Sequence, residues 1–217
     1  MSDSSVKSTR QALFQTANAR VLGLQERVLK DESTAVATLA RLRRCDPADV
    51  GAEPLVWEVT LGDLPDSLTH IGNKKSDKPT PAEQALHATL VLYALHQQSK
   101  DEGVHRPGVR FGQAVGTLAR ARAEQDEEFD KATVSRLHQA ALAETFDGHV
   151  HYLRGLVQMM RSEKPTIGFD YARLATDLWQ LASPRLESRW VLAAWGRDLH
   201  ERRRSAAPTT TTTEETK

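Results

Sequence analysis

The sequence carries 20 arginines against nine lysines, and the guanidinium groups are its richest source of chemistry. A guanidinium offers five donors in a fixed fork that matches phosphate oxygens two at a time. Arg41, Arg43 and Arg44 close one helical segment, and Arg120 and Arg122 end another. Arg154 and Arg161 are seven residues apart in "YLRGLVQMMR" and share a helix face. Arg106 and Arg110 flank Pro107–Gly108 in "HRPGVRFG", just before a helix start, where free backbone N–H groups favour an anion. Gly155 beside Arg154 and Gly196 beside Arg197 leave room for another backbone to approach. The plain alternative is that each arginine pairs with one of the 29 acids, or complements a helix dipole as Arg43 and Arg44 would.

Other chemistries find little support. Among the eight histidines, His87 and His96 stand nine residues apart, roughly 13 Å along a helix, and cannot share a metal. His149 and His151 differ by about 200° around a helix and face apart. No HExxH and no cysteine–histidine cluster occurs, so neither a metal nor any other cofactor is expected. Cys45 follows an arginine pair at a helix end, where the dipole raises a thiol pKa. GxSxG, Walker A and GxGxxG patterns are absent, and the sequence does not read as an enzyme. The aromatic residues Trp57, Trp179, Trp190, Trp195, Tyr93, Tyr152 and Phe169 read as core, without the basic interleaving of a base-stacking platform.

The elements that must position these arginines are helices throughout. Apolar spacing predicts helices over 9–29 and 33–44, with a short one near Trp57. The segment 72–80, "GNKKSDKPT", reads as an exposed loop. Thr80, Pro81 and Glu83 form a capping-box signature for a helix reaching about Lys100, apolar nearly all round and therefore central. Further helices are predicted over 112–122, 126–143, 147–161, 170–181 (with Asp170 as N-cap) and 184–204. No alternating run is long enough for a sheet. The fold class is all-α: a small N-terminal helical part with a long connection over 1–79, a larger helical bundle over 80–204, and a polar, disordered tail over 205–217.

Composition sets outer limits. A chain of 217 residues can bury a substantial core. Apolar content of 39% and charged content of 27% are those of a soluble globular protein, and no run is long and apolar enough for a membrane span. The N-terminus lacks a signal-peptide core, and a single cysteine fits the reducing cytoplasm. The net charge is zero, so any polyanion contact must rest on an uneven distribution of charge rather than on a basic excess.

The blocks "LARLRR" (39–44), "ALHATLVLYALHQQS" (85–99), "HRPGVRFG" (105–112), "YLRGLVQMMRS" (152–162), "FDYARLATDLW" (169–179) and "WGRDL" (195–199) together resemble the CasB family. That family is the small subunit of the type I-E CRISPR surveillance complex, Cascade. The resemblance covers roughly residues 10 to 202, and nothing is transferred onto the 46–80 connection or the threonine tail. It implies a non-catalytic, all-helical subunit that sits as a pair beside crRNA-bearing Cascade subunits. There it would hold the target and displaced non-target DNA strands by their backbones, stabilising the R-loop in antiviral defence, while base pairing reads sequence. By this resemblance the phosphate-contact role falls on Arg43, Arg44, Arg106, Arg110, Arg154, Arg161 and Arg197, with Arg120 and Arg136 added on spacing. A competing expectation is a purely structural protein–protein adaptor without nucleic-acid contact, for which zero net charge and an apolar central helix also speak.

Overall fold

The helix that begins after Thr80 organises the molecule. Thr80 Oγ1 accepts from the Glu83 N–H at 3.1 Å, and the Thr80 N–H donates to Glu83 Oε2 at 2.7 Å, with Pro81 in the first position. The predicted capping box is therefore present, and it satisfies donors that the first turn would leave orphaned. Every residue from Ala85 to Gln97 is buried, so neighbours surround this helix on all sides.

The protein is described here from a computed structural model, which covers residues 3–71, 74–184 and 186–201. Its helices are α1 (Asp3–Leu29), α2 (Ser33–Leu42), α3 (Trp57–Thr60), α4 (Asp66–Thr69), α5 (Pro81–Gln97), α6 (Phe111–Ala121), α7 (Lys131–Leu142), α8 (Phe146–Ser162), α9 (Tyr171–Ala182) and α10 (Ser188–His200). The fold is all-α, as expected. Helix α5 is flanked by α8 and α9, α1 lies along α9 and α5, and α2 rests on α5. One contiguous core includes Leu13 and Leu39 together with Leu90, Leu156 and Leu174. Arg20 ties the connection after α2 onto α1 by donating to the carbonyls of Val59, at 2.7 Å, and Gly62.

Helices α6 and α10 approach unusually closely. A Cβ at Gly112 would stand 2.6 Å from the Trp195 carbonyl oxygen, and one at Gly116 would stand 2.4 Å from that of Leu199. Two glycines one turn apart thus set the separation of these helices. Phe111 meets Trp195 beside them, with ring centroids 5.3 Å apart.

The structure corrects several boundaries. The stretch predicted as plain loop after residue 72 contributes Lys74–Lys75 (β2), which pairs antiparallel with His70–Ile71 (β1) in a two-residue ladder. Helix α7 starts at Lys131 rather than at 126, because the Asp130 carboxylate caps it by accepting from the N–H groups of Ala132 and Thr133. Helix α10 starts at Ser188 rather than at 184. Trp57 and Trp190, expected in the core, are 46% and 60% exposed. The predicted tail 205–217 and the last residues of the predicted final helix lie outside the described residues.

Candidate nucleic-acid interface

Two of the predicted arginines close α2 and two more ride on α8. Leu39 and Leu42 are buried on α2, which turns its end so that Arg43 is half-buried and Arg44 is exposed. On α8 the residues Val150, Leu153, Leu156, Val157 and Met160 are buried. Arg154 and Arg161 fall outside that apolar arc, about 20° apart around the axis. The two pairs meet. Burial first, and then the fields of Arg161 and Arg44, hold the Arg43 guanidinium below its ordinary pKa. Arg161 and Arg44 therefore each lie near Arg43. Arg44 and Arg154 line one depression of about 580 Å³, together with Asp46, Asp147 and His151.

Among the described residues, no carboxylate stands within ion-pair distance of Arg43, Arg44, Arg154 or Arg161. Arg161 donates instead to the neutral Gln98 Oε1. Arg136 reaches over from α7: its Nη1 would be 2.5 Å from a Cβ at Gly155, so it occupies the space that glycine leaves open. The room beside Arg154 thus accommodates a guanidinium rather than a backbone. Lys100, which sequence reasoning did not single out, joins Arg161 in acting on His96 and donates to the Glu163 carbonyl at 3.0 Å. The result is a basic strip from α2 across α8 to α7.

The remaining predicted arginines lie elsewhere. Arg106 pairs with Glu102 at 2.9 Å. Arg110 Nη1 donates to Asp198 Oδ1 at 2.8 Å. Arg120 donates to the Leu199 carbonyl at 3.2 Å and lies over the Phe129 ring, where it satisfies the end of α10. Arg197 is exposed, and its neighbour Asp198 takes Arg110 as its partner. Gly196 has open space around it. Arg122 lies 4.0 Å from Asp130 and is paired with Glu163 at 2.6 Å.

The segment "HRPGVRFG" is anchored by its backbone and by His105, while Pro107 and Gly108 stay exposed. His105 Nδ1 accepts from the Tyr171 N–H at 3.1 Å, its Nε2 stands 3.2 Å from Asn18 Oδ1, and its backbone N–H donates to Gln25 Oε1 at 2.8 Å. Gly108 takes a positive φ of 82° and donates its N–H to Asp170 Oδ2 at 3.0 Å. Asp170 also caps α9, as predicted, by accepting from the Arg173 N–H at 3.1 Å. One carboxylate thereby fixes both the bend and the next helix start.

Four of the eight histidines, His87, His96, His105 and His149, are buried. His96 is buried, its Nδ1 is 2.9 Å from the Tyr171 hydroxyl, and burial with nearby Lys100 and Arg161 lowers its pKa to about 3. His87 Nε2 stands 3.0 Å from the Asp46 carbonyl oxygen, and burial lowers its pKa as well. Among the described residues no group of three or more His, Cys, Asp or Glu is placed to hold a metal ion. The Cys45 thiol pKa is raised, as expected, chiefly by burial and then by Glu53.

This combination defines a class of helical module that wraps a buried central helix and exposes a strip of arginines without ion-pair partners among the described residues. The sequence model of the CRISPR-associated protein Cse2 family matches residues 38–200, and the chain belongs to that family. Among solved structures, it is similar to CasB from Thermobifida fusca at 31% identity and a TM-score of 0.69, over 88% of this chain and 98% of that one. It is also similar to a CRISPR-associated Cse2-family protein from Thermus thermophilus at 25% identity and a TM-score of 0.57, over 83% and 96%. No curated protein sequence matches the chain significantly. Among the described residues no helix is long and apolar enough to cross a membrane.

Proposed function

We propose that this chain is a non-catalytic small subunit of a type I-E CRISPR Cascade complex, and that it holds nucleic-acid backbone on the strip formed by α2 and α8. The observation that carries this reading is the convergence of Arg43, Arg44, Arg154 and Arg161, none of which has a carboxylate within ion-pair distance among the described residues. An external anion bound among these cations would relieve their repulsion. On this reading the chain works in the cytoplasm beside crRNA-bearing subunits, a second copy of itself and the target and displaced DNA strands, a setting that membership of the Cse2 family supports. Contacts of this type fix the strand without reading bases, which suits a complex whose guide reads sequence.

The test is R-loop formation by the assembled complex across a salt series, with wild-type protein and with Arg43→Glu/Arg44→Glu. Each phosphate that the variant no longer neutralises should flatten the log–log salt slope by about 0.7–0.9. The effect should be uniform across target sequences. An unchanged slope would remove the strip from the function and leave the adaptor reading. That second reading draws on the exposed apolar side chains of Val36, Leu55 and Trp57, a surface suited to protein contact.

A further inference from the structure

A cleft of about 770 Å³ opens where α1, α9 and α10 meet the start of α6. It shares no lining residue with the depression between Arg44 and Arg154. Two large aromatic side chains line it and remain unusually open: Phe14 from α1, 39% exposed, and Trp190 from α10, 60% exposed. Arg10 from α1 and Arg173 from α9 stand in the same wall.

The charges of this wall cancel only in part: Asp177 feels the fields of Arg173 and Arg10, and Asp198 that of Arg173, without an ion pair to either arginine. Asp198, one of its two carboxylates, is bonded to Arg110. The other, Asp177, accepts from Trp195 Nε1 at 2.9 Å. Arg10 donates to the neutral Gln180 Oε1, and Arg173 has no described carboxylate within ion-pair distance. Arg189 lies over the Trp190 ring with its guanidinium carbon 5.3 Å from the ring centre, and is itself paired with Glu187.

Open aromatic rings beside guanidinium groups that hold no ion-pair partner match one ligand chemistry well: a flat base attached to a phosphate. Stacking needs a π-face, and the phosphate needs a fork of donors within a nucleotide's length. An acidic peptide would use the arginines and leave the rings idle. An apolar peptide would leave the arginines unpaired. We propose that this cleft is a stacking site for single-stranded nucleic acid, with bases on Trp190 and Phe14 and backbone on Arg10 and Arg173. The site stands on its own lining and does not depend on the α2–α8 strip. It reverses the expectation from sequence that no stacking platform exists, since Phe14 and Trp190 come together only across 176 positions of chain.

The experiment uses the purified full-length protein with a short labelled oligothymidylate and an abasic strand of equal length, read by anisotropy and by tryptophan quenching. Trp190→Ala is expected to weaken oligothymidylate binding roughly five- to hundredfold, to abolish most of the quenching, and to leave abasic binding unchanged. Trp190→Phe should retain most of the affinity. Trp190 is mostly exposed, so Trp190→Ala should fold, which circular dichroism checks. Arg43→Glu/Arg44→Glu, by contrast, should not alter the preference for bases over abasic sites. Equal binding of both strands, an unaffected Trp190→Ala, or no binding of oligothymidylate would each overturn the cleft while leaving the R-loop test of the strip separate. Oligoglutamate binding in the cleft as tightly as the oligonucleotide would also overturn it, in favour of a protein partner.

Discussion

Arg110 Nη1 stands 2.8 Å from Asp198 Oδ1 and so ties the residue before α6 to the last turns of α10. The Asp198 side chain is only 4% exposed, and burial raises its pKa while Arg110 opposes that rise. Arg110 thus compensates a buried charge.

Arg110→Ala should therefore destabilise the fold by about 2 kcal/mol, below the range for a fully buried pair because Arg110 is itself 43% exposed. Arg110→Ala/Asp198→Asn should recover most of the loss, since the second change removes the stranded carboxylate. Urea unfolding measures both. Full stability with weakened polyanion binding would instead return Arg110 to the binding surface.

The strip predicts the opposite pattern. Arg43 is pressed by Arg161 and Arg44 with no carboxylate within ion-pair distance among the described residues, so neutralising one member relieves repulsion. Arg43→Gln should leave the melting temperature unchanged or raise it slightly, while weakening binding to DNA of any sequence. A clear loss of stability would mean that the guanidinium is tied down structurally.

The contact between α6 and α10 gives a packing prediction. A Cβ at Gly116 meets the backbone oxygen of Leu199 at 2.4 Å, and backbone cannot rotate away as a side chain can. Gly116→Ala should cost about 1–3 kcal/mol despite alanine's better helix propensity. Gly196→Ala is the control: the same substitution in open space on α10 should be neutral or stabilising. Thermal melts of the two variants should differ in sign.

What could be read from sequence was what is local. Thr80, Pro81 and Glu83 lie within four residues and declared their helix directly. Asp170 did the same for α9. The acidic run before Lys131 did not declare itself, because several of its carboxylates could serve as a cap and only Asp130 does. Ion pairing divides along the same line. Arg106 and Glu102 are spaced i, i+4 and were legible in principle, whereas Arg110 and Asp198 are 88 positions apart. Within the strip, the α8 spacing was visible, but its meeting with Arg43 and Arg44 is a product of packing.

The pH dependence of stability brings opposing groups together. His96, with its pKa lowered to about 3, and His87 and His105, lowered chiefly by burial, bind fewer protons in the native state than in the unfolded chain. They destabilise the fold as pH falls below about 6.5. Asp177 acts the other way. Burial raises its pKa to about 6, so the native state keeps a proton that the unfolded chain releases near 4. Its contribution is present at low pH and is lost as pH rises toward 6. Asp198, also raised by burial, acts in the same direction as Asp177. Three histidines outweigh the two carboxylates, so urea midpoints should rise from pH 5 to pH 7. Asp177→Asn keeps an oxygen to accept from Trp195 Nε1 while removing the titration. Its advantage over wild type should be small near pH 4, grow up to pH 6, and level off above. An advantage that is the same at every pH would mean that Asp177 is not held protonated by its surroundings.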